Sequence, residues 1–583
     1  MRRAAAVTAA LVWGLAFAQS AAAQPRQLLT PGVTYERKVA FTNRGPVVYH
    51  AMTAPRPGGL YSLRPVLAQG RILGRATVTA MQRSVSGTAT VAGVNGDLFN
   101  WKDGHPTGIV IRDGVLDHRP SPDRSSIGID DTGTLHVERV TMFGTWQGAG
   151  PRRTLAGLNE TARANGASLY TPAWGPTTPP ASGSYELVLS PLPPTVPNVE
   201  TFGTVVGTNQ NGNTPIPARG GVLVARGQQA ASLAAEAPVG GQVAFRLILQ
   251  PDWAGLMQAL GGGPVIVRDG KGVFSANELF TPDQLLPRNP RTAVGQRADG
   301  KIVMLVVDGR QPGFSVGMTN FELAQTMVRL GCVTASALDA GGSSTMAFEG
   351  QLLNRPSDGR EREVKEALLV HYTGVHAPPA AEPVLSPNGD GVAERQQLGY
   401  KVVRPSTVRA RVVGPDGVEQ YVDEGLRAPG IYQVSWPSAP AGEPLPQGRY
   451  QWVVTAVDDE GRRSAVNRGF SVNTTLGFLR PDPRALAVPR QKRREVATAQ
   501  LTKPATVLGW VESESGAPIA TVVTGRVGPS RLTLRWDGKN RARRSVYPGT
   551  YVLRLAANNA YGRVELATKL RVVRTKYKIV TPG

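Results

Sequence analysis

The sequence predicts a multidomain protein: an α/β (α+β) domain followed by two all-β sandwich modules. Three observations carry that expectation. The stretch from Asn289 to Leu369 runs through a buried strand, a capped helix and a second strand. Beyond Pro383 the pattern changes to short strands at regular spacing, and it occurs twice. With 583 residues, 41% of them hydrophobic and 19% charged, the chain is too long for one core and too apolar for disorder.

Ile302 to Val307 is a run of six apolar residues rich in valine and isoleucine, bounded by Gly300 and Gly309, which is the pattern of a strand buried on both faces. Thr319 and Glu322 form a capping box. Phe321, Leu323, Ala324, Met327, Val328 and Leu330 then recur at helical spacing until Gly331 ends the helix. A helical crossover returns the chain to a parallel strand, so Thr334 to Leu338 should lie beside Ile302 to Val307 or one strand away. Asp308 and Asp339 would then leave the sheet at one edge, where open α/β sheets bind ligands.

Gly341, Gly342, Ser343, Ser344 and Thr345 follow Asp339 and offer backbone amides and hydroxyls at close approach, suited to an anion or to sugar hydroxyls. Arg291, Arg310 and Arg355 add forked positive charge near the same loops. Carboxylates, hydroxyls and arginines together describe a site for a sugar that carries a phosphate.

The runs NGDLF (from Asn95), NPRTAVG (from Asn289), VVDGR, SVGMT with its helix, LDAGGSST and NRPSDG (from Asn354) resemble the phosphodiester glycosidase family, bacterial relatives of the mammalian uncovering enzyme that removes N-acetylglucosamine from a phosphodiester. The likeness covers roughly residues 60–372. It implies a hydrolase with Asp339 as nucleophile or base and Asp308 as its partner or as an orienting group. It also brings in Asp97 and Asn95, with Asn354, Arg355 and Asp358 on the substrate. Arg291 and Arg310 would hold the phosphate, and Gly341, Gly342, Ser343, Ser344 and Thr345 the sugar. The family's usual D-G-G-G-S reads here Asp339-Ala340-Gly341-Gly342-Ser343. A positive φ at Ala340 would cost about 1 kcal/mol.

Met1 to Ala23 has two arginines, an apolar run and an Ala-Ala-Ala end, the pattern of a cleaved secretory signal; the mature protein is therefore expected to be secreted, periplasmic or bound at the cell surface, with no membrane span after cleavage. Cys332 is the single cysteine, which excludes an internal disulfide. The six histidines show no metal-ligand spacing and read as surface or loop residues. The sequence requires no cofactor and names no metal ligand, while admitting a divalent cation.

Residues 24–375 are expected to form the first domain. Ala76 to Val85 reads as a helix and Ala89 to Val94 as a strand. Asn95-Gly96-Asp97 by itself would be a hairpin turn. Tyr170 and Trp174 read as core aromatics, and Thr177 to Gly220, rich in Pro, Thr, Asn and Gly, as a long loop or insertion. Residues 376–383 form a linker, then 384–475 and 476–583 the two modules. Pro405 to Val408, Trp436 and Gly448 to Val457 are echoed by Pro504 to Val507, Trp536 and Gly549 to Ala556. With Ser386-Pro387-Asn388-Gly389-Asp390-Gly391 at their head, these modules resemble the Ig-like domains of the flagellar hook-capping protein type, which implies a fold more than a function.

The formal charge of +22 is uneven. Arg484 to Gly583 carries twenty Lys/Arg against five Asp/Glu, whereas Ala381 to Pro483 carries eleven against twelve. In an exported protein this suggests either contact of the last module with anionic envelope polymer or a merely solvated basic surface; no nucleic-acid recognition motif is present. The expected function is hydrolysis of a sugar-1-phosphodiester or a related glycosidic linkage in envelope or extracellular polysaccharide. The alternative is a non-catalytic envelope-binding or adhesion protein built on a degenerate glycosidase domain.

Overall fold

The computed structural model describes residues 26–273, 277–437 and 445–575. The expected signal segment, Met1 to Ala23, lies outside them. The chain divides into two compact units: residues up to Ser84 with Val91–Val370, and Val85–Thr90 with His371 onward.

In the first unit the site rests on an eight-stranded sheet. Its order is Gln27–Thr30, Val33–Thr42, Gly45–Ala54, Ile302–Val307, Arg291–Arg297, Cys332–Ala337, Val265–Arg268, Lys271–Gly272. All six residues of Ile302–Val307 are buried, as a strand covered on both faces requires. One face meets the helix Asn320–Arg329 through Leu323, Ala324 and Met327. Full burial of Leu323 and Met327 stabilises that contact by about 1.5–3 kcal/mol each. Thr319 and Glu322 close the capping box, and Gly331, at φ 89°, takes the left-handed turn that stops the helix. The opposite face, through Met52, Val294, Met304 and Val306, packs on Ala92, Val94 and Leu368 of a second sheet.

The crossover strands Ile302–Val307 and Cys332–Ala337 run parallel but are not neighbours. Arg291–Arg297 lies between them, antiparallel to both. The expected α/β character is thereby corrected: every neighbouring pair in this sheet is antiparallel, and the described chain is mostly β. A buried antiparallel strand carries the same unbroken apolar run as a parallel one, so the sequence could not separate them.

Thr177 to Gly220 is also corrected. It holds the strands Ser184–Leu189 and Glu200–Gln210, which pair with each other inside a second eight-stranded sheet. Their alternating buried residues, Leu187, Leu189 and Val205 among them, join a core with Trp146 and Phe245. Proline and glycine around these strands masked the alternation. The expected helix near Ala76 is found at Val78–Val85, and the strand before Gly96 at Thr90–Asn95.

The second unit repeats one topology. A five-stranded sheet ordered Val384–Leu385, Arg463–Val472, Gly448–Asp458, Ser406–Val413, Glu419–Arg427 is matched by Leu486–Val488, Gly562–Arg574, Gly549–Asn559, Ala505–Ser513, Pro518–Val527. Each is accompanied by a smaller sheet, one pairing Gln396–Val402 with Gly430–Trp436 and the other Arg494–Leu501 with Ser530–Trp536. Trp436 and Trp536 end equivalent strands and are both buried.

Candidate active site

Strand ends converge on a cavity of about 210 Å³. Asp339, two residues past the strand Cys332–Ala337, lines it together with Arg291, Arg310, Asn289, Phe280 and Asp283. The Asp339 amide donates to Gly96 O (3.1 Å), which fastens the residue to the turn after Thr90–Asn95. Burial pushes its carboxyl up to about 6; the Ser343 hydroxyl and the Ala340 amide hold it lower than burial alone would, and the nearby Asp97 carboxylate works with burial. A carboxyl with a pKa near 6 exchanges a proton at neutral pH, as a general acid or base requires.

Asp97 stands behind the cavity wall. Arg124 grips it with two hydrogen bonds, Nη1 to Oδ1 at 2.9 Å and Nη2 to Oδ2 at 3.0 Å. Burial raises the Asp97 carboxyl and the guanidinium opposes that rise. Two glycines leave room for the pair: a Cβ on Gly261 would stand 2.0 Å from Asp97 Oδ2, and one on Gly108 2.6 Å. Glu366 is buried next to Asp97, and burial, reinforced by the Asp97 charge, pushes its carboxyl up to about 7. Its Oε1 accepts from the Asp97 amide, and its Oε2 has no partner among the described residues, which suits a protonated carboxyl. Asn95-Gly96-Asp97 thus forms a junction between sheets and not a hairpin.

The arginines divide. Arg291 is buried and spends four of its five N–H donors on the carbonyls of Met318, Gln284, Leu285 and Pro287, leaving one at Nη1. Burial and the neighbouring Arg310 lower its pKa to about 10. Arg310 is exposed, and its Nε donates to Asn289 Oδ1 (3.0 Å), while neither Nη atom has a hydrogen-bond partner among the described residues. They lie over Gly341, whose added Cβ would come within 3.1 Å of Nη2. Arg310 also sits at φ 58°, a left-handed conformation that costs a non-glycine residue about 1 kcal/mol or more. The guanidinium of Arg355 lies over the Phe314 ring at 4.9 Å, outside the cavity.

Asp308 leaves its strand at the same edge as Asp339, yet its carboxylate is spent on the scaffold. Oδ2 meets His50 Nε2 at 2.9 Å, and Oδ1 accepts from Asn354 Nδ2 and the Arg355 amide, both at 3.0 Å. His50 continues to the Tyr35 hydroxyl at 2.7 Å. The expectation that the histidines are surface residues fails at His50, His118, His371 and His376, which are buried. Asn354 also ties Ser344 O and the Met346 amide. Asn95 joins Asp339 O, the Thr292 hydroxyl and the Thr345 amide. Asp308, Asn95 and Asn354 are therefore placed to hold the loops around the cavity and do not line it.

In the glycine loop Ala340 is extended (φ −114°), and Gly341 takes the left-handed turn at φ 68°. The methyl of Ala340 is accommodated without strain. The amides of Gly341 and Ser344 are already bonded to Pro290 O and Gly341 O. The anion-cradling amides expected here are in these cases used by the loop itself. Ser343 is buried against Asp339, whereas Ser344 Oγ and Thr345 Oγ1 are buried without a partner among the described residues. Gly342 gives space to the Arg362–Asp358 ion pair, whose atoms would lie 2.0 and 2.2 Å from its Cβ.

Sequence reasoning missed Arg124, Glu366, Asp283 and Arg362. Arg124 and Arg362 stand in loops, Asp283 in the short helix Pro282–Leu285 and Glu366 at the start of a strand, none of them in a motif, and only the fold brings them to the site. Tyr170 and Trp174 are core residues as expected.

Asp339, its carboxyl pushed up to about 6, and Arg310, neither of whose Nη atoms has a hydrogen-bond partner among the described residues, thus line one cavity. Residues 196–371 match the family model described as phosphodiester glycosidase. The matched segment includes Arg291, Arg310 and Asp339, while Asn95, Asp97 and Arg124 precede it. An SPbeta prophage-derived uncharacterized protein, YomE, of Bacillus subtilis is 39% identical over 107 residues, 18% of this chain and 16% of that protein. The N-acetylglucosamine-1-phosphodiester alpha-N-acetylglucosaminidase of Bos taurus is 40% identical over 68 residues, 12% of each chain. A crystal structure of a hypothetical protein from Synechocystis aligns with a TM-score of 0.50 at 26% identity, covering 60% of this chain and 64% of that one. The matches thus span under a fifth of both curated relatives and under two thirds of the solved one.

Proposed function

We propose that this protein is an exported glycosidase that hydrolyses a sugar-1-phosphodiester, or a closely related linkage, in envelope or extracellular polysaccharide. The observation that carries this reading is the pairing, in one cavity, of Asp339 with the unengaged Nη atoms of Arg310. A phosphate departs as a stable anion and needs little protonation, so one carboxyl and a cation can serve where an ordinary glycosidase needs two carboxyls.

Arg310 holds the phosphate, with the remaining Arg291 N–H as a second donor. Asp339, ionised above about pH 6, acts at the anomeric carbon, either directly or by activating water. Asp97 and Arg124 position it from behind and keep a fixed charge next to it. Asp308, through Asn354 and the Arg355 amide, holds the loop that follows, and is a positioning residue in this scheme. Asn320 Oδ1, buried on the cavity wall without a partner among the described residues, is an acceptor for a sugar hydroxyl.

The test is release of free sugar from a panel of sugar-1-phosphodiesters, N-acetylglucosamine-α-phosphate esters included, by the wild type and by Asp339→Asn. Release that vanishes in the variant supports the proposal. Absence of release by a folded wild type that still binds envelope polysaccharide would replace it with the non-catalytic glycan-binding alternative.

A further inference from the structure

The second sandwich of the C-terminal unit gathers its charge at one end. In its smaller sheet Arg494 pairs with Trp536, so the loop entering Arg494–Leu501 and the loop leaving Ser530–Trp536 emerge side by side. Gly538 seals them together: a Cβ there would stand 2.3 Å from Val488 Cγ1, just before Pro489 and Arg490. The leaving loop is an ordered hairpin. Val546 N donates to Gly538 O, Lys539 bridges to Ser545, and Asn540 N bonds Arg544 O. Arg541 N donates to Ile519 O, which ties the hairpin to the larger sheet.

Seven cations stand on these two loops: Arg490, Lys492 and Arg493 on one, and Lys539, Arg541, Arg543 and Arg544 on the other. Among the described residues none of them is in an ion pair. Arg490 Nε alone makes a side-chain hydrogen bond, to Lys492 O. The carboxylates nearby are otherwise occupied or few. Asp482 is held by Arg494 and Arg484, Asp537 caps the Lys539 amide, and Glu495 lies opposite Arg535. Elsewhere in the unit, by contrast, arginines such as Arg409, Arg411, Arg462 and Arg554 meet carboxylates. An array of unneutralised cations on a rigid hairpin and its neighbour repels itself, and a polyanion relieves that repulsion.

We infer that this double-loop end is a binding site for a linear polyanionic polysaccharide, one whose phosphodiester or carboxylate groups recur along the chain. The choice of polysaccharide over nucleic acid rests on the proposed export and glycan reading; the site itself does not. The test measures the affinity of the full chain for a glycerol-phosphate polymer, for polygalacturonate and for duplex DNA between 50 and 200 mM salt. Engagement of all seven cations at roughly 0.7 counterions each gives a fall of about 10³-fold over that range.

Arg541→Ala with Arg543→Ala should flatten the logarithmic salt slope by about 1.4. A control that removes the same charge, Lys569→Ala with Arg571→Ala on the larger sheet, should leave the slope unchanged. Tighter binding of either polysaccharide than of DNA supports the inference, and the preferred polymer tells phosphate from carboxylate. Equal loss in both double variants, DNA bound at least as tightly as both polysaccharides, or no binding at 50 mM salt would overturn it. Sugar release from a small soluble ester is untouched by either double variant, so failure here and failure of the glycosidase proposal are separable.

Discussion

Replacing Asp339 by asparagine should abolish activity and yet stabilise the protein, in a way that depends on pH. In the folded chain burial lifts this carboxyl from 3.8 to about 6, so folding disfavours its ionised form. Below pH 3.8 the group is protonated folded or unfolded, and its contribution is complete. As pH rises through 6 the unfolded chain is already ionised, and the wild type loses stability. At 1.36 kcal/mol per pKa unit the full loss is about 3 kcal/mol, reached near pH 7. Asparagine keeps the shape and carries no charge, so its advantage should be about 0.5 kcal/mol at pH 4, about half developed at pH 5, and about 3 kcal/mol at pH 8. Glu366 has the same sign in both proteins and cancels from the difference. Urea or thermal unfolding of both proteins at a series of pH values measures this directly, alongside a loss of sugar release of at least about 10²-fold. A gain that is the same at pH 4 and pH 8, or no gain at all, would refute the assignment of a desolvated, ionising carboxyl at this position. In the wild type, activity should rise with pH with a midpoint near 6, because the ionised form is the reactive one.

Three further outcomes are expected. Arg124→Ala strands Asp97 in the interior and should cost about 3–5 kcal/mol in denaturant unfolding, whereas Arg124→Ala with Asp97→Ala should cost markedly less. Arg310→Gly removes the left-handed strain and should stabilise the first unit by about 1 kcal/mol, while the phosphodiester KM rises; an unchanged KM would detach Arg310 from the phosphate. Asp308→Ala leaves three donors unsatisfied, those of His50 and Asn354 buried, and should lower the free energy of unfolding by about 2–4 kcal/mol, with a lower activity per folded molecule and the pH midpoint near 6 retained.

Much of the site was legible because its signals are local. The capping box at Thr319, the stop at Gly331 and the apolar run from Ile302 each follow from a few neighbouring residues, and the edge shared by Asp308 and Asp339 follows from the crossover between them. What resisted was partnership. Asp308 and Asp339 look alike in sequence, and only the placement of His50, Asn354 and the Arg355 amide shows that one carboxylate is saturated while the other faces the cavity. Arg291 and Arg310 likewise differ by four carbonyls, supplied by Gln284, Leu285, Pro287 and Met318. Arg124 and Glu366 could be found only through Asp97, because no spacing rule connects positions 97, 124 and 366. Thr177 to Gly220 was misread for a physical reason: turn formers at its edges outweighed the period-two signal between them.

The twofold recurrence of one strand order in the C-terminal unit gives the chain a spare copy of a stable frame. Buried positions such as Trp436 and Trp536 hold each frame, so loop tips can change sign without threatening the fold. One copy has stayed electrically balanced while the other has accumulated arginine and lysine at a single end. Neutralising Lys539, Arg541, Arg543 and Arg544 together should therefore weaken the proposed polyanion binding while the frame around Trp536 and the proposed chemistry at Asp339 stay unmoved.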